Sequence, residues 1–404
     1  MDSSPPGRFA IVGLGVVHGR GLGKSSRALQ AEAARLAIED AGLRRDQIDG
    51  AVNGMGAGGS MPGGGGFVDA FPRVLGLPIN FYWTVARGGT GGIVGILAAT
   101  RALELGIANY VVVACGEAGW STAHGLLQTS ALSERRRMGL GNSTLGTEQL
   151  GYGAAASAAS IHAFFASRHM YEYGTTSEQF GAVAVSLRKW AALNPEAQMH
   201  GRPLTIEDHQ NSRYVVEPYH LLDCCLQSDA GVAVIVTTAE RAHDLPKPAV
   251  QILGIGFGDQ AREQWWDKTN YSQLDVAPAK AQAFGQAGIT LEDIDCAQFY
   301  DCFTAEVIFQ LEGYGWCGKG EGGPFVEAGN IAPGGSIPVN TGGGLLSDYY
   351  LFDYTGLAEG VRQLRGECDG RQVEDAEVAL VTGHGGELLT PGMCSTHGAL
   401  VLGR

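Results

Sequence analysis

Short, unbroken apolar runs alternate along the chain with longer stretches in which apolar residues recur every three or four positions. The clearest runs are residues 11–15, 111–116, 252–256 and 378–383. Runs of this length without polar alternation are typical of strands that are buried on both faces. Because helical patterns separate the runs, the sequence predicts an α/β protein built on a parallel sheet.

Three segments of the first half recur in the same order in the second half. The paired segments are 11–15 with 252–256, 37–51 with 283–297, and 111–116 with 378–383. Each half therefore follows the order strand, helix, strand, glycine-rich helix, strand. We predict two pseudo-duplicated halves, residues 1–245 and residues 246–404.

An insertion separates the two repeats, at about residues 120–229. Within it, Thr176 and Gln179 have the spacing of a capping box that begins an amphipathic helix. The pair Asn194 and Pro195 is expected to end that helix, because the residue before a proline disfavours helical backbone. The insertion is predicted to be a loop domain within the first half.

Composition and charge exclude several classes of protein. Apolar residues make up 45% of the chain and charged residues 17%, which describes a compact protein rather than a disordered one. The net charge of -14 argues against a nucleic-acid binder, which would present a basic face. No apolar run approaches the roughly 20 residues of a membrane helix. The 8 cysteines lack metal-binding spacing, and a cytoplasmic location is expected.

Glycine is unusually frequent, with 62 residues in the chain. Many of these glycines cluster directly after apolar runs, at residues 54–66, 88–92, 342–344 and 383–386. Glycine at such positions permits tight turns and close approach of the backbone to a ligand or to another strand. The clusters therefore mark candidate binding loops.

Two C-terminal segments resemble active-site motifs of the thiolase superfamily. Residues 339–350, VNTGGGLLSDYY, resemble the segment in which an Asn and a Gly pair lead to Gly-His-Pro, and Tyr350 takes the place of the histidine. Residues 298–304, QFYDCFT, resemble the segment that carries an oxyanion-binding Asn or His, and Tyr300 takes that place. The resemblance implies that the fold was retained while the reaction changed.

The insertion strengthens this resemblance and assigns a branch within the superfamily. Its NPEA, SR, LLDCC and SD segments, at residues 194–197, 212–213, 221–225 and 228–229, resemble the sterol-carrier-protein-x and lipid-transfer branch. The implied fold is the thiolase-like five-layer αβαβα architecture. The resemblance covers nearly the whole chain and is loosest in the first 80 residues.

The thiolase nucleophile has no counterpart in this chain. Counting back from Gly106, at the end of the glycine-rich helix, places Gly89 where thiolases carry the cysteine. Glycine cannot form a thioester intermediate, so two-step acyl transfer is not expected there. Gly89 is expected to leave space in which a bulky ring system binds. Simple decay of an inactive homologue would also place a glycine there.

The second thiolase cysteine is also replaced, in the loop that contains His384, Gly385 and Gly386. The backbone N–H groups of this loop are candidates for holding a thioester oxygen. His384 either faces the cavity or packs within the protein. Asn340 and Gly343 match the loop that shapes the pocket around the second tyrosine, so these five residues and Gly89 are the candidate substrate-binding set.

Tyr300 and Tyr350 match positions that face each other across the thiolase active site. A phenol can take or give a proton in a retro-aldol cleavage, which needs no covalent intermediate. Since the phenol pKa is about 10, a base at neutral pH needs a downward shift of about 2 to 3 units, at roughly 1.4 kcal/mol per unit. The alternative is that both rings only fill space. Nearby, Cys302 is interpreted as packing and Asp301 as ordering backbone.

The residue pattern is similar to that of steroid side-chain-cleaving aldolases of the lipid-transfer type. The resemblance implies cleavage of a 17-hydroxy steroid C22-acyl-CoA into a 17-ketosteroid and propionyl-CoA, with no cofactor. It also implies a small OB-fold and zinc-ribbon partner that carries any zinc. A homodimer core is expected through the strand after the nucleophile helix, residues 110–115.

Two other functions remain open from the sequence. A non-catalytic acyl-CoA or lipid-binding subunit would bind without turnover. An acyltransferase with a displaced cysteine would depend on a thiol. The sequence does not decide which tyrosine is the base, nor whether the acyl group is steroidal, bile-acid-like or aromatic.

Overall fold

The computed structural model describes residues 6–54, 71–85, 88–127, 158–259, 272–274, 276–385 and 396–404. The strands are β1 Phe9–Gly19, β2 Gly50–Gly54, β3 Phe81–Val85, β4 Val111–Ala118, β5 Tyr214–Val216, β6 Tyr219–His220, β7 Asp229–Thr238, β8 Val250–Asp259, β9 Cys296–Gln298, β10 Val378–Gly385 and β11 Thr396–Gly403. The helices are α1 Ser26–Asp40, α2 Phe71–Val74, α3 Gly91–Glu104, α4 Gly119–Ala123, α5 Ala158–Tyr173, α6 Ser177–Ala192, α7 Ile206–Gln210, α8 Ala239–Ala242, α9 Ala277–Ala287, α10 Thr304–Tyr314, α11 Gly322–Glu327, α12 Gly344–Ser347 and α13 Asp353–Arg365.

The main sheet is mixed rather than parallel. In the described chain its nine strands run in the order β3-β2-β4-β7-β1-β8-β11-β10-β9. Strand β2 pairs in parallel with β3 and β4, and β9 pairs in parallel with β10. The pairs β4–β7, β1–β7, β1–β8, β8–β11 and β10–β11 are antiparallel. The predicted parallel sheet is therefore wrong for the centre, because runs buried on both faces do not reveal strand direction.

Alternate residues of the central strands pack against different helix layers. Val111 and Val113 contact the core around α3 and α13, whereas Val112 and Ala114 contact the core around α1. The second half has the same arrangement, with α9, α10 and α6 on its outer face. Helices α3 and α13 thus lie between the two half-sheets. The layers follow the order αβαβα, which confirms the predicted architecture.

The repeat detected in the sequence corresponds to equivalent elements in the two halves. Helix α1 precedes β2 as α9 precedes β9, and β4 pairs with β2 as β10 pairs with β9. An isolated bridge between Ala297 and Val339 takes the place that β3 has beside β2. The middle-layer helices α3 and α13 occupy equivalent places in the two halves.

The insertion contains the predicted capped helix. Thr176 accepts a hydrogen bond from the backbone of Gln179, and the Gln179 side chain accepts one from the backbone of Thr176. Helix α6 follows and ends before Asn194, as predicted. Its buried face packs against the C-terminal half, where it helps to position the loop that precedes Tyr350.

The strand predicted to mediate self-association lies inside the sheet. Strand β4 is hydrogen-bonded on one side to β2 and on the other to β7, so residues 111–115 have no free edge for a second copy. The prediction for residues 110–115 is therefore wrong. Strand β3 stands at the end of the sheet order, and its Trp83 side chain is 59% exposed.

Within the described residues, none of the helices combines the length and the apolar character needed to cross a bilayer.

Candidate active site

Tyr300 and Tyr350 meet at the junction of the two halves. Tyr300 follows the end of β9 and is buried, and Tyr350 follows α12 and is partly exposed. Their phenol hydroxyls lie within hydrogen-bonding reach of each other. The structure therefore brings together the two tyrosines that the sequence singled out.

The backbone of Tyr300 is held by two polar side chains. Its N–H donates to Thr382 Oγ1 at 3.0 Å, and its carbonyl accepts from Gln310 Nε2 at 2.9 Å. The Thr382 hydroxyl in turn donates to Gln310 Oε1. These three residues come from the segment after β9, from α10 and from β10, so the network fixes Tyr300 relative to the loop that contains His384.

A similar arrangement holds Tyr350. Its N–H donates to Ser228 Oγ at 2.9 Å, and the same hydroxyl accepts from Gln198 Nε2 at 2.7 Å. Both partners belong to the insertion that the sequence assigned to the lipid-transfer branch. The insertion thus contributes directly to the position of the second phenol.

Asn340 and Gly343 support the site through the backbone. The Asn340 amide accepts from Phe299 N at 2.6 Å and donates to the Phe299 carbonyl at 3.0 Å. Both ends of the amide are therefore engaged by the residue before Tyr300. Gly343 has a φ of +109°, and a Cβ there would lie 2.8 Å from the Cβ of Ala191 on α6. The loop can approach the insertion only with glycine at this position.

Gly89 is packed against Tyr300. A Cβ at Gly89 would lie 2.5 Å from Tyr300 Cζ and 1.8 Å from the backbone oxygen of His384. The space in which a nucleophilic side chain would stand is therefore taken by the Tyr300 ring. The space beside Gly89 is thus filled by the Tyr300 ring and not left open for a substrate ring. A cysteine at position 89 is sterically incompatible with this position of Tyr300.

The glycine-rich loop of β10 lies directly on the segment around Gly89. Gly385 has a φ of +154°, and a Cβ there would lie 2.6 Å from the Gly89 nitrogen. The two glycine segments, one from each half, thus form a backbone surface beside the tyrosine pair. Gly386, also predicted to bind substrate, lies outside the described residues.

The His384 side chain joins a buried cluster rather than standing alone. Its Nε2 lies 3.9 Å from Glu306 Oε2, and His162 Nδ1 lies 2.6 Å from Glu306 Oε1. One potential ligand atom from each of these three residues falls within 4.8 Å of the others. The residues are distant in the chain, so no spacing motif predicted this cluster. Glu306 and Gln310 had one detectable signal, as polar residues within an apolar helix.

Two thiols lie close to the tyrosine pair. The Cys225 N–H donates to the Cys302 carbonyl at 2.9 Å, and both thiols influence the ionisation of the phenols. Burial raises the pKa of the Cys225 thiol far above its ordinary value, and the same holds for Cys115 on β4. Because the thiolate is the reactive form, neither Cys225 nor Cys115 is activated as a nucleophile.

The phenols themselves are held in the protonated state. Burial raises the pKa of Tyr300 and of Tyr350 well above the ordinary value. For Tyr350, the neighbouring Cys225 and the carboxylate of Glu117 add to the upward shift. The chain without substrate therefore does not supply the downward pKa shift that a phenolate base at neutral pH requires, because the removal of water from around the phenols dominates. The contact between the hydroxyls raises the pKa of Tyr300 and lowers that of Tyr350.

Two carboxyl groups cap helices at the site. Asp301 accepts from the backbone of Leu345 and Leu346 at 2.9 and 3.2 Å, as the backbone-ordering interpretation predicted. Asp353, which the sequence analysis missed, accepts from Gly92 and Ile93 at 2.9 and 2.8 Å. Burial raises the pKa of each carboxyl to about 7. Asp353 thus ties the start of α13 to the start of α3, across the two halves.

Comparison with known proteins agrees with this geometry. Residues 260–404 match the family model of the thiolase C-terminal domain. The chain is 37% identical over 398 residues to a steroid side-chain-cleaving aldolase of Thermomonospora curvata, covering 94% of this chain and 96% of that protein. It is 37% identical over 384 residues to a 17-hydroxy-3-oxo-4-pregnene-20-carboxyl-CoA lyase of Mycobacterium tuberculosis, covering 93% and 96%.

A solved structure agrees equally well. The structure of an Ltp2-ChsH2(DUF35) aldolase superposes with a TM-score of 0.84 at 35% identity, covering 99% of this chain and 98% of that one. The fold and the active-site frame define a member of the thiolase superfamily. Within it, the chain belongs to the family of steroid side-chain-cleaving aldolases. It is a carbon–carbon lyase of thiolase-like fold.

Proposed function

We propose that this chain catalyses the retro-aldol cleavage of a β-hydroxyacyl-CoA by proton transfer through Tyr300 and Tyr350. The observation that supports this most directly is the packing of Tyr300 against Gly89, which replaces a nucleophile with a proton-transfer group. Burial raises the pKa of the nearby Cys225 thiol, so covalent acyl transfer has no activated sulfur at that residue. A reaction without a covalent intermediate fits this site.

The substrate is a 17-hydroxy steroid C22-acyl-CoA, and the products are a 17-ketosteroid and propionyl-CoA. The names of the two relatives support this class, since one cleaves steroid side chains and the other is a lyase of a hydroxylated pregnene carboxyl-CoA. A β-hydroxyl and a thioester are the two groups that the chemistry requires. The hydroxyl becomes the ketone, and the thioester accepts the electrons of the broken bond.

The high pKa values of both phenols favour a relay over a free phenolate. The substrate hydroxyl gives its proton to one phenol oxygen while that phenol passes its own proton to the other. The carbon–carbon bond breaks, its electron pair forms the thioester enolate, and the second phenol protonates the enolate carbon. Net charge on the pair is unchanged, so neither buried phenol has to ionise fully.

The glycine surface is the proposed site for the thioester oxygen. Gly89 from the first half and Gly385 from the second lie against each other beside the phenols. Backbone N–H groups of these two segments are suited to stabilise the enolate oxygen, which carries the developing negative charge. His384 contributes through its backbone position, because its carbonyl contacts Gly89.

The proposed assembly is a homodimer core with a small partner protein of OB-fold and zinc-ribbon type. The structure named Ltp2-ChsH2(DUF35) supports a partner protein, since two proteins are named in it, and the OB-fold and zinc-ribbon type is what the family resemblance implies. For the homodimer, β3 is a better candidate than residues 110–115, because β3 stands at the end of the sheet order among the described strands. The protein is placed in the cytoplasm.

The decisive experiment is co-expression with a candidate partner, followed by mass analysis of the products from a β-hydroxyacyl-CoA. Release of a ketone together with a shorter CoA ester supports the proposal. Binding of the thioester without turnover, under conditions where the complex is intact, would instead indicate the non-catalytic subunit.

A second experiment assigns the two phenols. The phenol that protonates the enolate carbon also removes a proton from propionyl-CoA in the reverse direction, so the enzyme exchanges that hydrogen for deuterium in D2O. The variant that loses cleavage but keeps exchange lacks the phenol that faces the hydroxyl. If neither Tyr300→Phe nor Tyr350→Phe affects exchange or cleavage, the relay is wrong.

A further inference from the structure

We propose that His162, Glu306 and His384 form a binding site for a divalent transition-metal ion, zinc by its ligand chemistry. The three side chains are 5%, 0% and 1% exposed. They come from the insertion helix α5, from α10 and from β10, so one ion bound here would join three segments behind Tyr300. No step of the proposed reaction uses this ion.

The ligand types and separations suit such an ion. Two imidazoles and one carboxylate are a set that zinc uses in proteins, with metal–ligand distances of about 2.0 to 2.2 Å. Ligands in tetrahedral geometry then lie about 3.4 Å apart. The ligand atoms of this cluster lie within 4.8 Å of one another, with the His162–Glu306 pair at 2.6 Å and the Glu306–His384 pair at 3.9 Å. Small side-chain rotations bring them to that spacing.

The Glu306 carboxylate has one oxygen aimed into the cluster with no hydrogen-bond partner among the described residues. This oxygen is Oε2, which faces His384, while Oε1 contacts His162. A fully buried carboxylate needs a neighbouring positive charge or several donors to offset its lost hydration. In the described part of the chain, Glu306 makes no ion pair with lysine or arginine.

A second histidine–glutamate pair on the same two helices has its carboxylate fully compensated by neighbouring side chains. His169 lies two turns along α5 from His162, and it contacts Glu312 of α10 at 3.0 Å. Here Lys319 supplies the positive charge, with its Nζ 2.8 Å from Glu312 Oε2. The other His169 nitrogen contacts Thr175 at 2.8 Å, and Glu312 Oε1 accepts from the Gly322 backbone at 3.0 Å.

The two pairs differ in the source of the compensating charge. The Glu312 pair has a lysine and, within the described part of the chain, no third side chain that could bind a metal with it. The Glu306 pair has instead a second imidazole, that of His384, and needs a cation to offset its carboxylate. A metal ion provides that charge and uses both imidazoles at once. Because the two pairs share helices, burial and residue types, His169 is a matched control for His162.

The test is the metal content of the untagged full-length chain, loaded with zinc, dialysed and analysed by mass spectrometry of the metal. We expect one zinc per chain, which Glu306→Gln abolishes and His169→Gln leaves in place. Substitution with Co²⁺ should give visible absorption bands of a histidine- and carboxylate-bound ion. Removal of the metal by a chelator should lower the melting temperature, and added zinc should restore it.

Three results would overturn the site. The first is the absence of retained metal in the parent chain, measured directly and so independent of how any variant folds. The second is equal metal in the parent, Glu306→Gln and His384→Gln chains, which would place the ion elsewhere. The third is loss of metal in His169→Gln but not in Glu306→Gln. In a complex with a zinc-bearing partner, the zinc content of the complex is compared between the parent and the Glu306→Gln chain. Equal zinc content in the two complexes also counts against the site.

Discussion

The two halves of the molecule have equivalent strand–helix junctions at the active site, yet they contribute different chemistry. The junction of the first half, before α3, consists of four glycines, Gly88, Gly89, Gly91 and Gly92, around the buried Thr90, and it places no side chain at residue 89. The second half contributes the phenols of Tyr300 and Tyr350. In a duplicated fold the reactive groups can thus move from one half to the other while the frame of the site persists.

The absence of a reactive side chain at residue 89 of the first half has a steric reason as well as a chemical one. The Tyr300 ring occupies the position that a side chain at residue 89 would need. A cysteine in the first half and a tyrosine in the second therefore exclude each other in this geometry. Loss of the nucleophile and gain of the phenol are one structural change, which explains why Gly89 is more than a decayed position.

The largest effect is expected from removing a phenol hydroxyl of the second half. Tyr300→Phe and Tyr350→Phe should each lower kcat by about 10² to 10⁴, the usual contribution of general acid–base catalysis. Tyr354→Phe is the matched control, because Tyr354 is a buried tyrosine of α13 whose hydroxyl has no hydrogen-bond partner among the described residues. Steady-state kinetics with unchanged melting temperatures would show that the loss is chemical; parent-like kcat in both variants would contradict the assignment.

The next effect concerns the first half, where backbone space should matter more than any side chain. Gly89→Ala places a Cβ against a backbone oxygen and the Tyr300 ring, so it should cost stability at or above the upper end of about 1–3 kcal/mol seen for overpacking, and also reduce activity. Gly91→Ala is the control, since its Cβ would meet nothing nearer than 4.0 Å. Thermal melts and kcat/KM measure both. An equally mild effect of the two changes would show that Tyr300 does not depend on Gly89.

A smaller effect concerns Asp353, the contact between the halves. Burial raises the pKa of this carboxyl to about 7, so the folded chain binds its proton more tightly than the unfolded chain does. The stability from this proton is present below the unfolded pKa of about 4 and is lost as pH rises to about 7. Chemical denaturation from pH 5 to 8 should show a weaker decline for Asp353→Asn than for the parent. A parent chain whose stability rises more steeply than the variant's over this range would reverse the sign and refute the cause.

The smallest effect is expected from the thiol nearest the phenols. Cys225→Ala should change kcat/KM by less than about twofold, because a protonated thiol contributes neither nucleophile nor base. The substitution is a cleaner test than alkylation, since Cys225 is partly exposed beside Tyr350 and a bulky adduct would block the site. A collapse of activity in Cys225→Ala, together with an acyl group trapped on Cys225 of the parent, would favour the displaced-cysteine acyltransferase.

Part of the site was predictable because its residues replace active-site residues at recognisable positions of the thiolase motifs. Tyr300, Tyr350 and Gly89 stand at matched motif positions, and local sequence is enough to identify them. Glu306, Gln310 and Asp353 were not found, because their roles depend on contacts with residues far away in the chain. The raised phenol pKa values were also missed, since desolvation is a property of the surrounding packing.

The sequence by itself determined the element types, the internal repeat, the capped helix of the insertion and the residue types at the reactive positions. These features depend on local periodicity, caps and motif spacing, which neighbouring residues encode. Strand direction in the centre of the sheet, the interior place of residues 111–115 and the contact of Gly89 with Tyr300 were decided only by the tertiary structure. They depend on how strands and loops distant in sequence pack together, and apolar runs of similar pattern do not specify that choice.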